Sequence, residues 1–146
     1  PQFVDPGGEG MGVKSIVQGG FSSCAILSND SLYCWGDNSG GQIGNFGCSQ
    51  FAAGCYANPT NVSNISVKAV ELTSSHTCVI LENESVTCWG SNNYGQIGDP
   101  SFGNGERVGN ASVDLGLGAS AKASPVITVA ISVSNSIGLT SANCLC

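Results

Sequence analysis

Positive charge is scarce in this chain. Four Lys+Arg stand against ten Asp+Glu, a net charge of −6 over 146 residues. So few cations cannot neutralise a run of phosphates. That argues against nucleic-acid binding and against electrostatic attraction to an anionic membrane. Histidine is scarcer still, with His76 the only one. No C-x-x-C pair occurs, so structural zinc spacing is absent. No spaced array of side-chain oxygens like an EF-hand loop is present either, and no metal site is expected. No apolar run approaches the roughly 20 residues that a spanning helix needs, so no membrane span is expected. One histidine and scattered carboxylates leave no visible nucleophile–base pair. The chain therefore reads as a non-enzyme, with no catalytic residues and no cofactor.

Glycine and cysteine are abundant, at 21 and eight. Glycine with frequent Ser, Asn and Val is the composition of short strands and tight turns rather than long helices. Eight cysteines are a high and even number. In an oxidising compartment they read as a disulfide framework, in the cytosol as metal ligands. Five N-x-S sequons favour the first reading: Asn29, Asn61, Asn64, Asn83 and Asn110. Asn58-Pro59-Thr60 is excluded by its proline. The expectation is a secreted, extracellular glycoprotein of a eukaryotic secretory pathway, its signal peptide removed before Pro1, with covalent glycans as its non-protein groups.

The sequence says one phrase twice. Residues 34–44 read C-W-G-D-N-S-G-G-Q-I-G and residues 88–98 read C-W-G-S-N-N-Y-G-Q-I-G. A second cysteine precedes each phrase, Cys24 and Cys78, and a sequon asparagine lies midway, Asn29 and Asn83. Every landmark recurs at an offset of 54, and residues 13–44 match 67–98 at 15 of 32 positions. A repeat of this period is the first thing that decides the fold.

Within each repeat the spacing predicts a stapled hairpin. With Cys24 opposite Cys34, the hairpin centres on Asn29 and residues 28–30 form its loop. With Cys78 opposite Cys88, it centres on Asn83. Three-residue loops are accepted hairpin connections, and Asn or Asp tolerates the left-handed conformation they need. Each cystine should stabilise by about 3 kcal/mol on the chain-entropy view. The tips then point away from the core, where a glycan fits. Trp35 and Trp89 are expected core anchors. Gly36 and Gly90 supply unusual backbone angles, and Gln42 and Gln96 hydrogen-bond loop backbone.

In chain order, residues 1–12 read as an irregular lead-in. Residues 13–66 form the first repeat with a disulfide loop closed by Cys48 and Cys55. Residues 67–120 form the second repeat, and 121–146 a truncated third repeat with an extra strand. The stretches 45–64 and 99–118 read as loops. Ile127, Val129, Ile131 and Val133 alternate with small residues, a strand with one apolar face. Cys144 and Cys146, separated by one residue, rarely bond each other by disulfide geometry and should reach elsewhere in the chain or to a neighbour.

The repeated phrase resembles the signature of the regulator-of-chromosome-condensation propeller family. Gly19-Gly20 resembles its turn, His76-Thr77 its histidine step, and W-G-x-N-x-x-G-Q-I-G its core. The resemblance implies an all-β fold of four-stranded antiparallel blades, with His76 in a structural role. The family closes a ring of blades and its nuclear founder acts in nucleotide exchange and chromatin binding. This chain departs from it by its sequons, its cystines and its count of two blades. Two blades leave apolar faces unless they form a compact sandwich-like pair. An incomplete propeller exposes edges that recruit other copies, head to tail, with the apolar C-terminal strand available for strand addition. The leading expectation is a self-assembling subunit of an extracellular fibre, coat or matrix. A protein- or glycan-binding module, or a fragment of a full propeller, are the alternatives.

Overall fold

The computed structural model describes residues 10–44, 58–98, 107–112, 127–130 and 138–141. Seven strands form one antiparallel sheet in sequence order. They are β1 (Val13–Gly19), β2 (Ser22–Leu27), β3 (Ser31–Gly36), β4 (Thr60–Leu72), β5 (His76–Leu81), β6 (Val86–Ser91) and β7 (Arg107–Ser112). Two further strands, β8 (Ile127–Ala130) and β9 (Gly138–Ser141), pair with each other. Among the described residues there is no helix, hence none long and apolar enough to cross a membrane.

The sheet is two blades sharing one long strand. β4 has 13 residues. Its first half pairs with β3, through Cys34↔Thr60 and Tyr33↔Asn61. Its second half pairs with β5, from Val67↔Leu81 to Leu72↔Thr77. The boundary between repeats at 66/67 is the step at which β4 changes partner. Each blade therefore has four antiparallel strands, all-β as the repeat implies.

The registers repeat as closely as the sequence does. Cys24 lies opposite Cys34 and Cys78 opposite Cys88. Both pairs are bonded, with Cα atoms 4.1 Å apart. Each blade's first ladder carries the same irregularity, between Val13 and Ser15 and between Val67 and Ala69. Each tip closes through the third loop residue: Asp30 N donates to Leu27 O (3.0 Å) and Glu84 N to Leu81 O (2.9 Å). The left-handed residues are Asp30 (φ 66) and Glu84 (φ 70), one position after the sequon asparagine.

Three expectations change. The sequons at Asn61, Asn64 and Asn110 lie in strands β4 and β7 and not in loops. These are the outermost strands of their blades. Ladder bonds to β3 and β6 hold them, so polar composition did not prevent strand formation. The apolar C-terminal stretch is not a spare strand, because β8 is paired with β9 by Ile127↔Ser141 and Val129↔Leu139. Finally, Trp35 is only half-buried, whereas Trp89 is fully buried. The cause is position: Trp89 faces the other blade and Trp35 does not. Cys48, Cys55, Ile131, Val133, Cys144 and Cys146 lie outside the described residues, as does the start of the truncated third repeat.

One core joins the blades. Cys24, Ile26, Leu32 and Cys34 of blade 1 pack with Val67, Val70, Leu72, Val79 and Trp89 of blade 2. Ile43 and Val62 fill between them.

Candidate functional site

Two places on this scaffold hold groups with a task beyond packing. The first is the pair of hairpin tips. Asn29 and Asn83 are both exposed. Asn29 Oδ1 accepts from Ser31 N (3.2 Å) and Ser31 Oγ (2.6 Å). Asn83 Oδ1 accepts from Ser85 N (3.1 Å) and Ser85 Oγ (2.7 Å). The sequon serine thus fixes the carboxamide by its oxygen. The nitrogen, which carries the sugar in a glycosylated asparagine, has no partner among the described residues. Each tip is flanked by an ion pair at matching positions, Lys14 with Asp30 and Lys68 with Glu84 (3.7 Å). All four side chains are substantially exposed, so the pairs orient the loop more than they stabilise it. Asn61 is exposed on β4.

The second place is the junction between blades, and the repeated phrase builds it. Asn38 and Gln42 are fully buried. Asn38 Oδ1 takes the Ile43 amide (3.1 Å), which shapes the loop. Gln42 Oε1 takes the Gly40 amide (2.8 Å). Its NH2 donates to Asp37 Oδ2 and to Ser74 O of blade 2, each at 3.0 Å. Its main-chain carbonyl accepts twice from blade 2, from Thr77 Oγ1 (2.6 Å) and Trp89 Nε1 (3.0 Å). One glutamine of blade 1 therefore clamps three groups of blade 2. Gly36 (φ 101) and Gly90 (φ 115) sit where a strand must turn sharply into this loop, at backbone angles other residues avoid.

The turn residues let the blades approach. A Cβ on Gly19 would lie 2.3 Å from Leu72 O, a backbone contact that cannot yield. The second repeat has Thr73-Ser74 where the first has Gly19-Gly20. Thr73 Oγ1 is used inside blade 2, where it takes the His76 amide (3.1 Å) and lies 2.8 Å from His76 Nδ1. The histidine ring is buried and held locally, which is the structural role expected of it. Among the described residues no group of three His, Cys, Asp or Glu side chains could hold a metal ion.

Three titrations follow from this packing. Burial lowers His76 below its ordinary value. The unfolded chain then takes up a proton that the folded chain resists. The contribution of His76 is whole above the ordinary histidine range and is lost as pH falls through it. Burial pushes the Asp37 carboxyl up, but hydrogen bonds from Ser39, Gln42 and Asn38 outweigh this and leave it lowered. Its contribution is likewise present above the ordinary carboxylate value and lost below it. Glu71 runs the other way: burial raises it, so its protonation on acidification relieves a cost. The expected result is a thermal midpoint that falls from pH 7 to pH 5, at no more than about 1.4 kcal/mol per pH unit for one proton. In His76→Gln the slope of this segment should flatten, read by thermal melts at closely spaced pH values.

Sequence reading found the tips and the phrase but not the clamp. Its acceptor is a main-chain carbonyl, which no side-chain type announces. Its donors, Thr77 and Trp89, lie far from Gln42 in sequence.

Comparison with known proteins agrees with this geometry. Residues 13–42 and 67–96 match the regulator of chromosome condensation (RCC1) repeat. Prp20p of Saccharomyces cerevisiae, which binds Gsp1p and histones, is similar in structure. Its TM-score is 0.61 at 18% identity, over 73% of this chain and 26% of that one. A chain of the complex of Kap60 with yeast RCC1 (Prp20) gives 0.65 at 16% identity, over 86% and 26%. Human WBSCR16 gives 0.60 at 18% identity, over 84% and 30%. The chain thus spans between a quarter and a third of the length of these propeller proteins. With the signature at Trp35 and Trp89, the cystines in register and the blades four strands deep, residues 13–42 and 67–96 are two consecutive propeller-type repeats that match the RCC1 repeat, each stapled by a disulfide.

Proposed function

We propose that this chain is a non-enzymatic, secreted, N-glycosylated structural protein, a self-assembling subunit of an extracellular fibre, coat or matrix. One observation carries the reading. Both repeats lift a sequon asparagine to an exposed, disulfide-stapled tip, while one face of blade 1 keeps apolar residues in solvent. Glycans on the tips would coat an assembly without entering the blade faces. Subunits join through the apolar residues that blade 1 exposes, Val13 and Ile16. Disulfides of this kind persist in an oxidising compartment.

The test is sedimentation velocity of the native protein over a concentration series, with mass spectrometry of its sequon peptides. The expected result is species many times heavier than one chain, with glycan on Asn29 and Asn83. A monomer at the highest concentration, or unmodified asparagines at both tips, overturns the reading. Prp20p is a protein-binding relative, and the exposed rings of Phe21 and Tyr94 (91% and 83%) suit a protein interface. A monomer with a saturable protein ligand would therefore favour a binding module.

A further inference from the structure

The sequon asparagines with described side chains sit in two kinds of place. Asn29 and Asn83 are at hairpin tips, where the ladders end. Their neighbours in the chain are small or charged: Ser28, Asp30 and Ser31 at the first tip, Glu82, Glu84 and Ser85 at the second. Asn61 lies instead within a ladder. It opens the N-V-S sequon on β4, it is exposed, and its partner across the strand pair is Tyr33 of β3.

This pairing decides what a sugar on Asn61 meets. Residues directly opposite in an antiparallel ladder project to the same face, with Cβ atoms about 4.5–5.5 Å apart. Tyr33 is only half-buried, so part of an aromatic side chain is open beside the asparagine. On the other side of Tyr33 in the same cross-strand row is Ala25, which is 1% exposed and too short to compete for the ring.

The opening at Tyr33 does not depend on what lies beyond blade 1. Its counterpart one repeat later is Thr87, on the face of blade 2 against which blade 1 packs. There Val70, Val79 and Trp89 are buried in the common core, yet Thr87 remains partly exposed. This register position is therefore accessible even when a blade covers the face. The second repeat puts nothing of interest in it: Thr87 pairs with Ser112, which offers neither an aromatic ring nor a carboxamide. Tyr33 and Asn61 thus depart from the second repeat together, at one register pair.

We propose that Asn61 carries an N-linked glycan whose first pyranose stacks on the ring of Tyr33, so that blade 1 holds this glycan against its sheet while the glycans of the tips stand free. The inference rests on the glycoprotein reading and names the protein group that one glycan contacts. In forming the link, Asn61 Nδ2 bonds to the anomeric carbon of an oligosaccharide diphosphate donor, one amide proton leaves, and the diphosphate departs. The first pyranose then begins one carboxamide away from the asparagine Cβ, beside the ring. One face of a pyranose is lined by C–H groups, and laying it on an aromatic surface removes apolar area of both from water. The phenol hydroxyl can exchange hydrogen bonds with the sugar's polar groups at the edge of that contact. Neither tip offers such a surface, because no aromatic residue stands in either loop.

The test follows release of whole glycans from the native protein by a peptide N-glycosidase, site by site, by mass spectrometry. In the folded wild type, release at Asn61 should be about fivefold slower than at Asn29 and Asn83, the scale of one aromatic contact. After reduction and denaturation the three rates should converge. Tyr33→Thr installs the residue that blade 2 carries in this register, and thermal melts establish that it is folded. It should speed release at Asn61 by about the same factor and leave the tips unchanged, while Tyr33→Phe, which keeps the ring, should behave as wild type. Nuclear Overhauser contacts between the Tyr33 ring and the sugar C–H protons give a second readout in the wild type that needs no variant. Bare Asn61 with glycans on Asn29 and Asn83 overturns this inference and leaves the glycoprotein reading standing. Bare asparagines at all three sites overturn both. A glycan on Asn61 that is released equally fast from wild type and Tyr33→Thr, or that shows no contact with the ring, overturns the stacking alone.

Discussion

Trp89→Ala is expected to destabilise the protein by about 3–5 kcal/mol, and Trp35→Ala by less than half as much. The two tryptophans occupy the same place in the repeated phrase, so any scale based on residue type or motif would score them alike. Their surroundings separate them. Trp89 is fully buried, packs with Val62, Ile43 and the blade 1 cystine, and donates to Gln42 O. Truncation leaves a large cavity at the junction between the blades. It also takes one of two donors from a buried carbonyl, and the Thr77 hydroxyl remains. Trp35 faces solvent on one side, so its removal opens no closed cavity. Trp89→Phe isolates the hydrogen bond from the packing and should cost about 1–2 kcal/mol. Denaturant titrations of the three variants with unchanged slope measure all of this. Equal losses at the two tryptophans would contradict the account of the junction.

Loss of either hairpin cystine should cost about 3 kcal/mol, whether by reduction or in the Cys24→Ala/Cys34→Ala and Cys78→Ala/Cys88→Ala variants. The entropy term is the same, because both bonds have a sequence separation of 10. What differs is the position of each bond in the molecule. Cys24 and Cys34 belong to the core between the blades, where Ile26, Leu32 and Val79 continue to pack once the sulfurs are gone. Cys78 and Cys88 are buried in blade 2 outside that core cluster. Calorimetry of the two double variants should therefore give similar midpoint losses. Losses that differ by more than about twofold would contradict the chain-entropy account.

The parts of this structure that sequence made legible are those that local rules dictate. Cysteine spacing placed the hairpin centres at Asn29 and Asn83, because antiparallel partners sum to a constant. The offset of 54 gave two equivalent blades. The loops expected at 45–64 and 99–118 overlap β4 and β7, because Thr60–Ser66 and Arg107–Ser112 are rich in polar Asn and Ser. Strand formation there comes from the ladder that β3 and β6 offer, a non-local term. The expectation that Trp35 and Trp89 are alike failed for the same reason. Burial of one blade is conferred by its neighbour, and repeat identity does not say which blade has a neighbour. The difference was nonetheless written in the residues that do not repeat. Asp37, which holds Gln42, becomes Ser91, and Gly19-Gly20, which admits a close neighbour, becomes Thr73-Ser74.

Electron microscopy of the native protein at the concentration where it is found is the most direct test of the central claim, that this chain is a glycosylated assembling subunit. The account predicts filaments or sheets built from repeated two-blade units, with density beyond the polypeptide at the Asn29 and Asn83 tips. Isolated particles of single-chain size, with bare hairpin tips, would contradict it.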